Sequence, residues 1–185
     1  MRQQTELSAL APDEVTARAT GDTQAAAFRW LADRHLDSSY RLARAIMRNS
    51  AEAEYATHDA FIQAWRHWGE LRDSARFEQW FTRILVNTCR TRLRRASRFD
   101  VHDVSAELVP TVDALDQSDV RETVRSALAQ LSPDHRIVVA LRFYRDMTVD
   151  DIAAQLGIPA GTVHSRLHYA LKRLQTVLDS KAREL

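Results

Sequence analysis

Apolar positions recur at steps of three and four along most of this chain, and the pattern is clearest over residues 148–174, TVDDIAAQLGIPAGTVHSRLHYALKRL. Val149, Ile152, Ala153 and Leu156 form one apolar face. After a break, Val163, Leu167, Ala170, Leu171 and Leu174 form a second, and all five are expected to be buried. Thr148 is placed to cap the first helix, with Asp151 three residues on, near the positive end of the helix dipole. Gly157 suits the left-handed residue that ends a helix, and Pro159 suits the entry to the next. The prediction is a helix, a tight turn and a second helix.

The same periodicity organises the rest. Residues 1–11 read as a tail and 12–20 as a short helix broken at Gly21 and Asp22. A longer helix runs from about Thr23 to Arg48, and Asn49 and Ser50 cap the next, from about Ala51 to His67. The loop WGELRDSAR (68–76) leads into an amphipathic helix from about Phe77 to Ala96. There Phe77, Trp80, Phe81, Ile84, Leu85 and Thr88 share a face expected to meet a core. Residues 97–117 contain Pro110 and many acids, and read as an extended linker. From Asp119 three more helical segments follow, Ser132-Pro133 opening the middle one, and the helix-turn-helix closes the chain. The expected fold is all-α, with two small helical domains (12–96 and 118–185) joined by an acidic linker. Only 4 glycines and 4 prolines, with few alternating β-branched runs, agree with it.

Composition, at 45% hydrophobic and 28% charged in 185 residues, suits a soluble globular protein. No run is long or apolar enough for a bilayer, and MRQQTELSALAPDE lacks the apolar core of a secretory signal, so a cytoplasmic protein without membrane insertion is expected. The single cysteine, Cys89, excludes an internal disulfide and reads as a small buried apolar group, with a redox role left open.

Net charge is +1, but its distribution along the chain is uneven. Between Glu78 and Asp100 there is no acid, while Arg83, Arg90, Arg92, Arg94, Arg95 and Arg98 are all basic. From Phe99 to Val120 the sign reverses, with Asp100, Asp103, Glu107, Asp113, Asp116 and Asp119 and no lysine or arginine. Arginine is the general cation, lysine occurring only at positions 172 and 181. That choice suits phosphate forks, and a genomic base-composition bias would produce it equally well.

Two elements carry candidate chemistry. The last helix leaves Thr162, His164, Ser165, Arg166, His168, Tyr169, Lys172 and Arg173 on or near its open side, which suits insertion into a major groove with cations on phosphates. The plainer alternative is a helical hairpin with a solvated face. In the long helix, Arg83, Asn87, Arg90 and Arg94 form a second stripe that can follow a nucleic-acid backbone while Asn87 reads a base. Trp65, Trp68 and Trp80 are candidates for stacking on unpaired bases; the alternative is that these aromatics are core and the arginines solvated. His164 and His168, four apart, have the spacing of two metal ligands, but there is no HExxH pattern, nearby cysteine or obvious third ligand. His58 with Asp59 lacks a partnered nucleophile. No metal, cofactor or catalytic group is expected. A free-standing DNA-binding regulator accounts for residues 148–174, but not for an arginine helix followed by an acidic linker.

The order of these elements resembles the bacterial extracytoplasmic-function sigma factors, the small two-domain class of RNA polymerase initiation subunits. The resemblance runs from about Pro12 to Leu178. It rests on AEAEYATHDAFIQAWR (51–66), FEQWFTRILVNTCRTRLRR (77–95) and ALAQLSPDHRIVVALRFYRDMTVDDIAAQLGIPAGTVHSRLHYALKRL (127–174).

The resemblance implies a first domain, 12–96, in which Glu52, Glu54, Asp59 and Gln63 dock on the clamp of the polymerase β′ subunit. It also implies that the loop from Leu71 to Arg76, with Trp80 and Asn87, captures an extruded base of the minus-ten element, Arg83, Arg90 and Arg94 holding the backbone beside it. In the second domain, 118–185, Thr162, His164, Ser165, His168 and Tyr169 correspond to positions near or facing the minus-thirty-five element. Arg166, Lys172 and Arg173 correspond to phosphate contacts. Implied partners are core RNA polymerase, through its β′ clamp and β subunit, promoter DNA and an anti-sigma factor; the linker would thread into the polymerase. The chain departs from the family pattern at Tyr55 and His58 in the docking helix, at Leu71 in the capture loop, and at His164 and Tyr169 in the recognition helix.

Overall fold

The computed structural model describes residues 21–99, 124 and 126–182. The tail over 1–11, the helix expected over 12–20 and the acidic linker beyond residue 99 lie outside them. Among the described residues the frame is built of α1 (Gly21–Met47), α2 (Ser50–Arg66), α3 (Phe77–Phe99), α4 (Pro133–Tyr144), α5 (Val149–Leu156) and α6 (Ala160–Ala182), with helical residues also at 124 and 126–129. No strand occurs among the described residues.

Most boundaries follow the local chemistry. The Asn49 side chain accepts a hydrogen bond from the Glu52 amide at 3.0 Å and starts α2. Ser132 does the same for α4, with Pro133 in the first turn. Helix α1 takes in Gly21 and Asp22, two residues before its expected start, with Asp22 in its first turn near the positive end of the dipole; the break expected after 12–20 lies at the edge of the described residues. Helix α3 runs three residues past its expected end, taking 97–99 from the anticipated linker. The loop before α3 contains two short 3₁₀ turns, Trp68–Glu70 and Ser74–Arg76.

Helix α2 packs between α1 and α3. Its inner face is Ala53, Ala56, Ala60 and Ala64, all fully buried, and such small side chains let backbones approach closely. The remaining space is filled by aromatics: Phe81 stacks on Phe61 (4.3 Å between centroids) and on Phe77 (5.5 Å), and Phe28 meets Trp68 edge-on (5.3 Å). Trp68, a candidate for base stacking, is therefore a core residue. Cys89 is buried in the same core, and burial pushes its thiol pKa up to about 12, with Arg92 pulling the other way. The unfolded thiol ionises near 9.0 and the folded one does not, so the folded state loses stability as pH rises from 9 towards 12. We expect Cys89 to be inert to a thiol reagent at pH 8 in the native chain and to react fully in denaturant.

The second half is built on α4, α5 and α6. Thr148 and Asp151 form a reciprocal capping box, and these hydrogen bonds hold the Asp151 carboxyl below its usual pKa. Gly157 closes α5 at φ 64°, ψ 39°. Since nothing stands within 4 Å of a Cβ added there, Gly157→Ala should cost about 1 kcal/mol through backbone strain alone, measurable by urea denaturation. Val163, Leu167, Ala170 and Val177 line the buried seam of α6, whereas Leu171, expected to be buried, is 44% exposed. It lies four residues beyond Leu167, about 40° further round the helix, past the edge of that seam.

Helix α4 packs against α1, and the buried side chains of the two halves form one connected core. Two arginines explain why. Arg136, 4% exposed, donates from Nε to the Ile46 carbonyl at the end of α1 (2.9 Å) and from Nη1 to the Leu131 carbonyl (2.9 Å). Burial, with a contribution from Arg48, lowers its pKa to about 10, so it stays charged at neutral pH. Arg145, its side chain 6% exposed, donates to Glu78 Oε1 on α3 and to the hydroxyls of Ser38 and Ser39 on α1. Burial lowers its pKa against the opposing pull of Glu78.

Candidate nucleic-acid interface

Helix α6 carries eight residues expected to meet DNA. The capping box and Gly157 turn set its entry, and the seam through Val163 and Leu167 sets its rotation. His164, Ser165, His168, Tyr169, Lys172 and Arg173 all face solvent, while Thr162 and Arg166 are half-buried. Tyr169 stacks on His135 of α4 at 4.7 Å, which fixes its ring. Arg173 donates to Gln130 (3.0 Å), and Arg166 pairs with Asp134 Oδ2 (2.7 Å). The open face thus combines hydrogen-bonding groups near the helix start with cations further along, the arrangement a major groove accepts. His164 and His168 are exposed, and no group of three or more His, Cys, Asp or Glu suited to a metal occurs among the described residues.

The second stripe lies on α3. Phe77, Phe81 and Leu85 anchor one side in the core, which leaves Arg83, Asn87 and Arg94 exposed and Arg90 half-buried. Asn87 is therefore available to a base edge. Arg90 reaches Asp134 Oδ1 at 3.8 Å, and Arg83 donates to the Ala154 carbonyl at 3.3 Å. Trp80 is half-buried beside an open groove of about 650 Å³, lined also by Leu71, Arg72, Arg76 and Arg83. Within it Leu71 is largely buried and supports the floor, whereas Arg76 is exposed and pairs with Asp73 at 3.4 Å. An aromatic side wall rimmed by guanidinium groups can stack an unpaired base and hold its phosphates.

The residues expected to dock on polymerase behave differently. Glu52 and Asp59 turn towards α3, where Arg92 holds both, through Nε at 3.0 Å and Nη1 at 2.7 Å. Burial alone would lower the Arg92 pKa; the bonds to Glu52 and Asp59 outweigh it and raise the pKa. Gln63 is exposed and donates to Thr88 (3.2 Å), and Glu54 faces solvent. The outer face of α2 instead presents Tyr55, 60% exposed, with Ile62 and Trp65. Sequence reasoning did not single out this apolar face. Its signal is the seven-residue spacing of Tyr55 and Ile62, two helical turns apart on one side.

Known proteins share both halves. The sequence model of Sigma-70 region 2 matches residues 31–99 and that of Sigma-70, region 4 matches 127–176. The ECF RNA polymerase sigma factor SigL of Mycobacterium tuberculosis is 34% identical over 162 residues, covering 84% of this chain and 91% of that protein. In three dimensions the fold matches the sigma factor RpoE in complex with the anti-sigma factor NepR from Bartonella quintana, with a TM-score of 0.68 and 24% identity over 82% of this chain and 96% of that one. It also matches CnrH in complex with the cytosolic domain of CnrY, with a TM-score of 0.62 and 25% identity over 91% and 95%. On the strength of the two region matches and the curated relative, the chain belongs to the sigma-70 family, in its extracytoplasmic-function branch of RNA polymerase sigma factors that act in transcription initiation.

Proposed function

We propose that this chain binds core RNA polymerase through the outer face of α2, reads a minus-thirty-five element with α6 and opens the duplex at a minus-ten element with α3 and the loop before it. The observation that carries the proposal is the pairing of two separate DNA-compatible faces on one chain. One is a capped helix-turn-helix with six exposed polar or basic residues; the other is a half-buried tryptophan in an arginine-rimmed groove beside exposed Asn87. In this reading 12–96 is the core-docking and melting domain, 97–117 the linker and 118–185 the minus-thirty-five domain. Phosphate contacts from Arg83, Arg90, Arg94, Arg166, Lys172 and Arg173 supply affinity, and His164, Ser165, His168 and Tyr169 set register. Trapping an unstacked base at Trp80 and Asn87 offsets part of the cost of melting. Bond formation belongs to the polymerase, which places the chain in the cytoplasm. A relative solved with an anti-sigma factor supports such a factor as a third partner.

The test mixes purified chain with bacterial core polymerase and a library of upstream DNA from the source genome, then sequences the transcripts. Discrete starts sharing two spaced upstream elements are the expected result. Retained DNA binding without core association or initiation would overturn the proposal in favour of a free-standing regulator.

A further inference from the structure

Tyr169 stands near the middle of the open face of α6. Ser165 lies one turn before it and Lys172 three residues beyond, all on the side opposite the seam of Val163, Leu167 and Ala170. The side chain is 58% exposed, yet its ring is not free. One face is stacked on His135 of α4, with the centroids 4.7 Å apart and 23° between the ring planes. His135 is held in its turn by Ser132, the residue that caps α4. The Ser132 Oγ lies 2.8 Å from His135 Nδ1 and also accepts from the His135 amide at 3.4 Å. The capped turn therefore fixes the imidazole, and the imidazole fixes the tyrosine.

The rest of the face is polar or charged, through Ser165, His168 and Lys172. Leu171 and Leu178, the other large apolar side chains exposed on α6, point away from it. In the major groove the edges of the base pairs present donors and acceptors and one apolar group, the C5-methyl of thymine. A flat ring immobilised before DNA arrives suits that group and gives up little rotamer freedom on binding.

We infer that His135 is a positioning residue for promoter readout: by stacking, it holds the Tyr169 ring against the C5-methyl of one thymine in the upstream element. The inference rests on the reading of α6 as the helix that meets the minus-thirty-five element. A phosphate held by the Tyr169 hydroxyl is the competing use of this side chain, and the test separates ring from hydroxyl.

Holoenzyme assembled from bacterial core polymerase and the full chain initiates on a promoter recovered from the upstream-DNA library. Each thymine of the minus-thirty-five element is replaced in turn by deoxyuridine, which removes the methyl and nothing else. For wild type, one replacement should lower initiation by about 4-fold, the worth of burying one methyl group. Tyr169→Phe should keep that ratio and Tyr169→Ala should abolish it. His135→Ala should abolish it at the same position while the penalties for changing other base pairs of the element stay as in wild type. His135→Phe, which keeps a ring in the stack, should restore it. Discrete starts by wild type with indifference to deoxyuridine at every thymine would overturn the methyl contact. Loss of the ratio in Tyr169→Phe would overturn the ring in favour of the hydroxyl. A uniform drop in His135→Ala on all templates, with the ratio preserved, would overturn the positioning role. No discrete start by wild type on any template would overturn the initiation reading itself.

Discussion

Phe81→Ala should destabilise the chain by about 3–5 kcal/mol, the range for truncating a buried aromatic. Phe81 lies between Phe61 and Phe77, stacked on both, and is 1% exposed. Its neighbours belong to three segments: α2, the start of α3 and, through Phe28, α1. They cannot close the gap together, because the buried alanines of α2 already hold the helices at close approach. Against a total of about 5–15 kcal/mol for a typical domain, the loss leaves much of the chain unfolded at 37 °C. Urea denaturation with tryptophan fluorescence measures it. The expected readout is a large fall in midpoint at an unchanged slope.

The second large effect is on initiation rather than folding. Asn87→Ala should leave stability unchanged, since the side chain is exposed on α3, while Trp80→Ala gives up some packing against Phe77. Stacking an unpaired base and reading a base edge are each worth about 1–3 kcal/mol. Either variant should therefore lower open-complex formation on a cognate promoter by about 10- to 100-fold while binding core polymerase as wild type does. Permanganate footprinting of unpaired thymines reports this step. Normal melting by both variants would sink the assignment of the groove.

Much of this was legible in sequence where a single residue's chemistry decides the geometry. Asn49, Ser132, Thr148 with Asp151 and Gly157 all act locally, over three or four residues, and each stands where the pattern placed it. The helical faces of α3 and α6 were legible for the same reason, apart from Leu171, where periodicity gives the stripe but not the width of the partner that covers it. The contacts between the halves were not legible. Arg92, counted as one cation in a basic run, is committed to Glu52 and Asp59 on α2, and Arg136 and Arg145 reach residues of α1 and α3. No periodic pattern marks an arginine as inward-facing, because its stem packs like an apolar residue and its partner lies tens of residues away. The exposed face of Tyr55, Ile62 and Trp65 escaped notice for the converse reason: in a periodicity scan apolar residues count towards a core, whichever side of the helix they occupy.

The hydrogen bond from Arg136 to the Ile46 carbonyl spans 90 residues of chain. At a synthesis rate of about 5–20 residues per second, the carbonyl leaves the peptidyl-transferase centre roughly 5–18 seconds before its donor exists. Once Phe99 completes α3, the three helices α1, α2 and α3 must stand by their own aromatic packing until α4 is made, with Glu78 and the end of α1 still facing water. The nascent chain therefore passes through a stage in which its first domain is complete and its arginine stripe uncovered. The arrival of α4 then brings Asp134 to Arg90 and covers the end of α1 through Arg136.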